Sequence, residues 1–235
     1  MVLTGTIVNG LAIIIGAGIG VKLQKIPAGM KDTVMKAIGL AVIILGISMA
    51  LEGQQFLLAI FSLALGGILG EWLDIEGKLN RAGAILERKL KRPSSEGNFA
   101  GGFVAATLLF VVGAMAVIGA LDSGLRNDHA VLYTKSLLDG FSSMIFAATM
   151  GIGVMFSAVP VILYQGSIAL AAALIVTYVP DDMMNLFIAE ITAVGGIMIL
   201  AIGLNILGIK PVRVANLLPA IPLAVLFVWG LTLLQ

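Results

Sequence analysis

The chain has 235 residues, of which 60% are hydrophobic and 11% charged, with a mean hydropathy of +1.10 and a formal net charge of +1. That composition excludes a disordered chain and argues against a soluble domain, because too little polar surface is available to cover an exterior. The lack of cysteine excludes a disulfide framework, a thiolate metal site and a cysteine nucleophile.

Eight apolar runs follow one another along the chain, at 3–21, 37–51, 55–73, 99–121, 136–159, 161–179, 187–207 and 217–234. A helix rises ~1.5 Å per residue and needs about 20 apolar residues to cross ~30 Å of hydrocarbon. The second run spans only by including Val34 and Met35. The pattern predicts an all-α, polytopic integral membrane protein of about eight spans, or seven if the charge-free stretch 154–164 is a re-entrant hairpin. The first run has no basic segment before it and no convincing cleavage site, so it is expected to remain as the first span. Trp72, Tyr133, Tyr164, Tyr178 and Trp229 fall near run ends, where amphipathic rings favour the headgroup level.

With the N-terminus outside, 12 of the 14 Lys and Arg residues lie on the inner side, and only Arg126 and Lys135 face out. The positive-inside bias therefore places both termini outside. Split this way, the inner side holds 12 basic and 6 acidic residues (+6) and the outer side 2 basic and 7 acidic (−5). This asymmetry suits a lipid bilayer with an anionic inner leaflet and gives no reason to expect nucleic-acid binding.

The whole chain, 1–235, reads as a single membrane domain, with 74–98 as a cytoplasmic amphipathic helix and linker. Ile75, Leu79, Ala82, Leu86 and Leu90 are spaced for one helical face that would lie on the inner leaflet. Glycine pairs mark the spans: Gly16 and Gly20 on the first, Gly66 and Gly70 on the third, with Gly113 and Gly119 notching the fourth. Small residues let backbones approach in lipid, serving helix packing or a homo-oligomer. A weak internal echo relates 3–73 to 136–234, through Gly16, Gly18 and Gly20 against Thr149, Gly151 and Gly153, and Gly39 and Gly46 against Gly196 and Gly203.

A polar group at membrane depth needs a partner or water. Asn9, Asp139, Gln165, Glu190 and Asn205 stand in this position. On the fifth span Asp139, Ser142, Ser143, Thr149, Gly153 and Ser157 share about a third of the circumference at ~100° per residue, and Gly5, Thr6, Asn9, Gly16 and Gly20 line up similarly on the first. These stripes are expected to face one another or a shared cavity between the first, fifth and seventh spans. Asp139 is placed about one turn inside the outer boundary, with Glu190 at similar depth and Asp122 near the same level. Together the three would draw cations to an outer vestibule, supply oxygens to Na⁺, or take up protons. The bland alternative has Asp139 capping its helix, Glu190 reaching water, and the amides making interhelical hydrogen bonds.

No catalytic residues, cofactor or metal site are expected. The one histidine, His129, lies in a polar outer loop beside Asp128, and no HExxH, GxSxG or P-loop is present. The chain is read as not an enzyme.

The stretches LLFVVGAMAVIGALDSGL from Leu108, KSLLDGFSSMIFAATMGIGV from Lys135 and VILYQGSIALAA from Val161, with the opening GTIVNGLAIIIGAGIG, resemble a bacterial inner-membrane family of unknown function that includes proteins called YdfK and YqgA. The resemblance covers essentially the whole chain. It implies a multi-pass protein of the bacterial cytoplasmic membrane, often regarded as a transporter, and brings no substrate or site residues with it. The physical reading points to a secondary transporter or ion-coupled carrier of a small solute or cation. A non-transporting scaffold or sensor module and an ion channel are the competing classes.

Overall fold

The computed structural model describes residues 1–23, 28–89, 99–209 and 211–233. All regular structure among them is helical: α1 (Thr4–Lys22), α2 (Ala28–Ala50), α3 (Phe56–Leu73), α4 (Ile75–Lys89), α5 (Phe99–Val111), α6 (Ala114–Arg126), α7 (Ala130–Met150), α8 (Gly153–Phe156), α9 (Ala158–Tyr178), α10 (Asp181–Ile206), a 3₁₀ turn (Val214–Leu217) and α11 (Ala220–Leu233). Six helical segments among the described residues are long and apolar enough to cross a membrane, and the bent pair α5–α6 makes a seventh. The pair bends by 58° at Gly113, whose φ of +134° is open to glycine and strained for other residues. The eighth expected span corresponds to α7, which has the length at 21 residues but carries Lys135 and Asp139.

The chain forms two compact units, each built from two separate stretches of sequence: 1–27 with 79–178, and 28–78 with 179–235. In the first unit α1 and α7 run parallel, and Gly16 and Gly20 of α1 lie against the main-chain carbonyls of Gly140 and Met144. A β-carbon at either glycine would occupy the place of a carbonyl oxygen, so the approach requires glycine. Ile13, Leu108, Phe110, Leu132, Val154 and Val161 fill the core.

In the second unit α2 and α10 run antiparallel, with Gly46 against Gly196 and Leu200, and Gly39 against Ile206 and Leu207. The echoed glycines of these two helices are thus partners across one interface. Gly66 and Gly70 of α3 meet Ala220 and the Asn216 carbonyl. The glycine pairs read as packing faces are therefore used inside the chain, against its own helices.

Residues 154–164 form no hairpin. Gly151, with φ +89°, ends α7, and 153–175 then forms a continuous apolar span. Tyr164 accordingly sits half-buried well inside this span and not at its end. Trp72, Tyr178, Trp229 and Tyr133 are exposed, as interfacial rings should be. Asp74 adopts a left-handed conformation (φ 48°) that turns α3 into α4. Of the predicted apolar face of α4, Ile75 and Leu79 are half-buried, while Leu90 and the linker lie outside the described residues.

Candidate functional site

The first unit gathers α1, α7 and α9 around a buried polar cluster. Lys135 and Asp139 stand one turn apart on α7, and Lys135 Nζ lies 2.9 Å from Asp139 Oδ1 and 2.8 Å from Oδ2. Their residues are 7% and 5% exposed. From α1, Asn9 Nδ2 donates to Asp139 Oδ2 at 3.0 Å and to Gln165 Oε1 of α9 at 3.3 Å. Thr6, Asn9 and Gln165 are all 0% exposed.

A carboxylate only accepts hydrogen bonds, so its neighbour must present the amide nitrogen of Asn9. That choice propagates. Asn9 Oδ1 turns away from Asp139, and Gln165, receiving Asn9 through its oxygen, turns its own NH₂ away. Asn9 Oδ1, Gln165 Nε2 and Thr6 Oγ1 are buried and have no hydrogen-bond partner among the described residues. Buried polar atoms nearly always find a partner, so the cluster holds two donor-capable groups and two acceptors ready for a ligand or water. The ion pair supplies charge at the same place. In hydrocarbon it persists because each member offsets the other's desolvation.

Asp139 lies nine residues into α7, ~13 Å along the axis, deeper than the single turn expected. The apolar run opens at 136 because Lys135 reads as an outer-loop charge. Lys135 is instead buried, folded onto Asp139, and the helix begins six residues earlier. The i,i+4 spacing of opposite charges was the available signal. The expected facing of α1 and α7 is present: Ser143 Oγ lies 3.1 Å from Ile13 O and 2.8 Å from Gly140 O. Ser142 is half-buried, outside the cluster's hydrogen bonds. Thr149 bonds back to its own helix at 3.0 Å, and Gly153 and Ser157 lie beyond the break at Gly151.

Of the three carboxylates expected near one plane, Asp122 and Asp139 belong to the first unit and Glu190 to the second. Asp122 stands 3.8 Å from the Arg126 guanidinium on α6. His129 places Nδ1 2.9 Å from Ser123 Oγ and its ring 5.8 Å from that of Tyr133.

The second unit holds the other candidates, at separate points on α10. Glu190 is 0% exposed, and its Oε1 accepts from the main-chain N–H groups of Gln54 and Gln55, both at 2.8 Å. Asn205 is exposed and closes the turn after α10, donating to Val212 O and accepting from Val212 N, both at 2.7 Å. That brace makes it a structural residue. Unanticipated was a polar knot where α3, α4 and the 3₁₀ turn meet. Glu71 accepts from Arg213 and from Asn216 Nδ2, both at 2.6 Å, and Asn216 Oδ1 accepts from Glu76 N at 2.8 Å. Burial raises the Glu76 pKa above the ordinary carboxylate range, against the Ala215 N–H and the Arg213 charge that lower it. A groove of about 560 Å³ between α3 and α11, lined by Leu57, Leu58, Phe61, Leu226 and Phe227, is apolar. Among the described residues no group of three or more His, Cys, Asp or Glu side chains is placed to hold a metal ion.

Comparison with known proteins agrees with the membrane architecture. "Uncharacterized membrane protein YdfK" of Bacillus subtilis (strain 168) is 38% identical over 231 residues, covering 95% of this chain and 96% of the relative. "Uncharacterized protein YqgA" of Escherichia coli (strain K12) is 34% identical over 225 residues, 94% of each chain. No solved structure matches. A family model described as "Protein of unknown function (DUF554)" matches residues 4–229, and with a match of that extent the chain belongs to this family of polytopic membrane proteins.

Proposed function

We propose that the protein is a secondary carrier of a small polar solute or cation, and that Asn9, Lys135, Asp139 and Gln165 form its central binding site. The observation that carries this reading is the set of three buried atoms without partners, Asn9 Oδ1, Gln165 Nε2 and Thr6 Oγ1, beside a buried ion pair. A purely structural ion pair would be expected to have its neighbours fully bonded. Here the neighbouring amides turn one acceptor and one donor toward a ligand. Intramembrane charge facing a bundle interior is a recurrent mark of solute and ion pathways. The bias of basic residues and the bacterial relatives support the cytoplasmic membrane as its location, with both termini outside.

The test is current and pH change in proteoliposomes under imposed Na⁺, K⁺ and H⁺ gradients, comparing wild type with Asp139→Asn. A saturable, ion-specific signal lost in the variant supports the carrier. A signal that does not saturate favours a channel. A folded wild type that is silent with every gradient overturns ion-coupled transport. A scaffold predicts a third pattern, with Gly16→Leu or Gly66→Leu abolishing activity and Asp139→Asn leaving it intact.

A further inference from the structure

Among the described residues two carboxylates, Asp139 and Glu190, are buried, and they differ in how their charge is met. Asp139 has Lys135 beside it. Glu190 makes no ion pair among the described residues of its unit, where Lys36 is engaged with Asp32 and Arg213 with Glu71. The only other charge in the α2–α3 loop, Glu52, is exposed and of the same sign. Two amide hydrogens meet Glu190 Oε1, whereas Oε2 is buried with no partner. A carboxyl group so enclosed is neutral only with a proton on it, and as the charged form it calls for a cation at Oε2.

The surroundings of Oε2 supply further oxygen. Were α2 to continue, the Gln54 N–H would bond to the Ala50 carbonyl; Glu190 takes that hydrogen instead. The Ala50 carbonyl is left without a backbone donor among the described residues. It stands at the C-terminal end of α2, where the helix dipole is negative. Gly53 lies beside both oxygens: a β-carbon there would lie 3.6 Å from Ala50 O and 3.7 Å from Glu190 Oε2, with the Ala193 β-carbon closing the other side at 2.6 Å.

We propose that Glu190 Oε2 and the Ala50 carbonyl, at the turn from α2 to α3, bind a monovalent inorganic cation. One carboxylate with a neutral carbonyl matches a single charge, and hard alkali cations take oxygen ligands. The bound cation would complete the electrostatics of the loop that Glu190 already holds through Oε1. This site is distinct from the Asn9–Asp139 cluster and stands whether or not that cluster moves a solute.

The experiment is thermal unfolding of the purified protein in detergent, in sodium, potassium or N-methyl-D-glucamine chloride at fixed ionic strength. It is paired with equilibrium binding of radiolabelled sodium and rubidium to the wild type. Sodium or potassium should raise the Tm with the logarithm of its concentration, by about 5–10 °C once the cation exceeds its Kd a hundredfold, with one cation bound per chain. Glu190→Gln keeps an oxygen for the two loop amides and should unfold at one temperature in all three salts, while Asp139→Asn keeps the cation response. Equal Tm values for the wild type in the three salts, or no saturable tracer binding, overturn the site. So does a cation response that survives Glu190→Gln. A response lost in Asp139→Asn and kept in Glu190→Gln places the cation in the other unit, ending this inference while leaving the carrier reading standing.

Discussion

Lys135 and Asp139 bring opposite charges into a bundle that excludes water, so each depends on the other. Removing one member of a buried pair strands the second charge and costs about 3–5 kcal/mol, whereas replacing both with apolar groups is far milder. Lys135→Met should therefore lower stability by about 3–5 kcal/mol in an unfolding titration, and Lys135→Met with Asp139→Leu should regain most of the loss. If the double variant were worse than the single, the pair would not be the interacting unit. Glu76 offers a pH-dependent counterpart at the inner end of α3. Its folded pKa is raised, chiefly by burial, so its contribution is present below the unfolded value and is lost as the pH rises through the folded one. The Tm of the wild type relative to Glu76→Gln should fall as the pH rises above the ordinary glutamate value of about 4.3, and a constant difference would refute the assignment. Asn9, Asp139 and Gln165 were visible in the sequence because polar side chains in apolar runs are rare. Lys135 was missed because a lysine at a run boundary ordinarily belongs to a loop, and only its carboxylate one turn later draws it inside.

Among the helices, close approach is set by particular glycines. A β-carbon at Gly70 would fall on the Asn216 carbonyl, whereas one at Gly230 meets no atom within 4 Å. Gly70→Ala should destabilise by about 1–3 kcal/mol, and Gly230→Ala should unfold like the wild type in the same assay. Gly113→Ala meets no crowding, but it places a side chain at φ +134°, so any loss of stability there reports the backbone bend between α5 and α6. Glycine spacing made the packing faces readable in advance, since a four-residue repeat in an apolar helix has few other uses. The partners were not readable. The repeat identifies a face without saying what lies against it. The bend at Gly113 was hidden because residues on both sides are uniformly apolar, and hydropathy is blind to a dihedral angle.

For the whole molecule, the absence of cysteine makes sidedness directly measurable, because every introduced thiol is alone on a silent background. Asp128→Cys, in the loop between α6 and α7, should react with an impermeant thiol reagent added to intact cells. Lys78→Cys, on α4, should react only after the membrane is opened. The reverse pattern would invert the topology. The spans were legible in the sequence because bilayer thickness acts on contiguous stretches. The two interleaved units were not, because a pairing between helices more than 100 residues apart leaves no periodic trace. That interleaving bears on how the protein is made. α1 ends at residue 22 and its partner α7 at residue 150, so at 5–20 residues per second the first helix waits on the order of ten seconds for the surface it packs against. α2 waits longer still for α10. During synthesis the early helices must therefore reside in lipid with their glycine faces uncovered, and a chain released before α7 emerges would leave α1 with no carbonyl for Gly16 or Gly20 to meet.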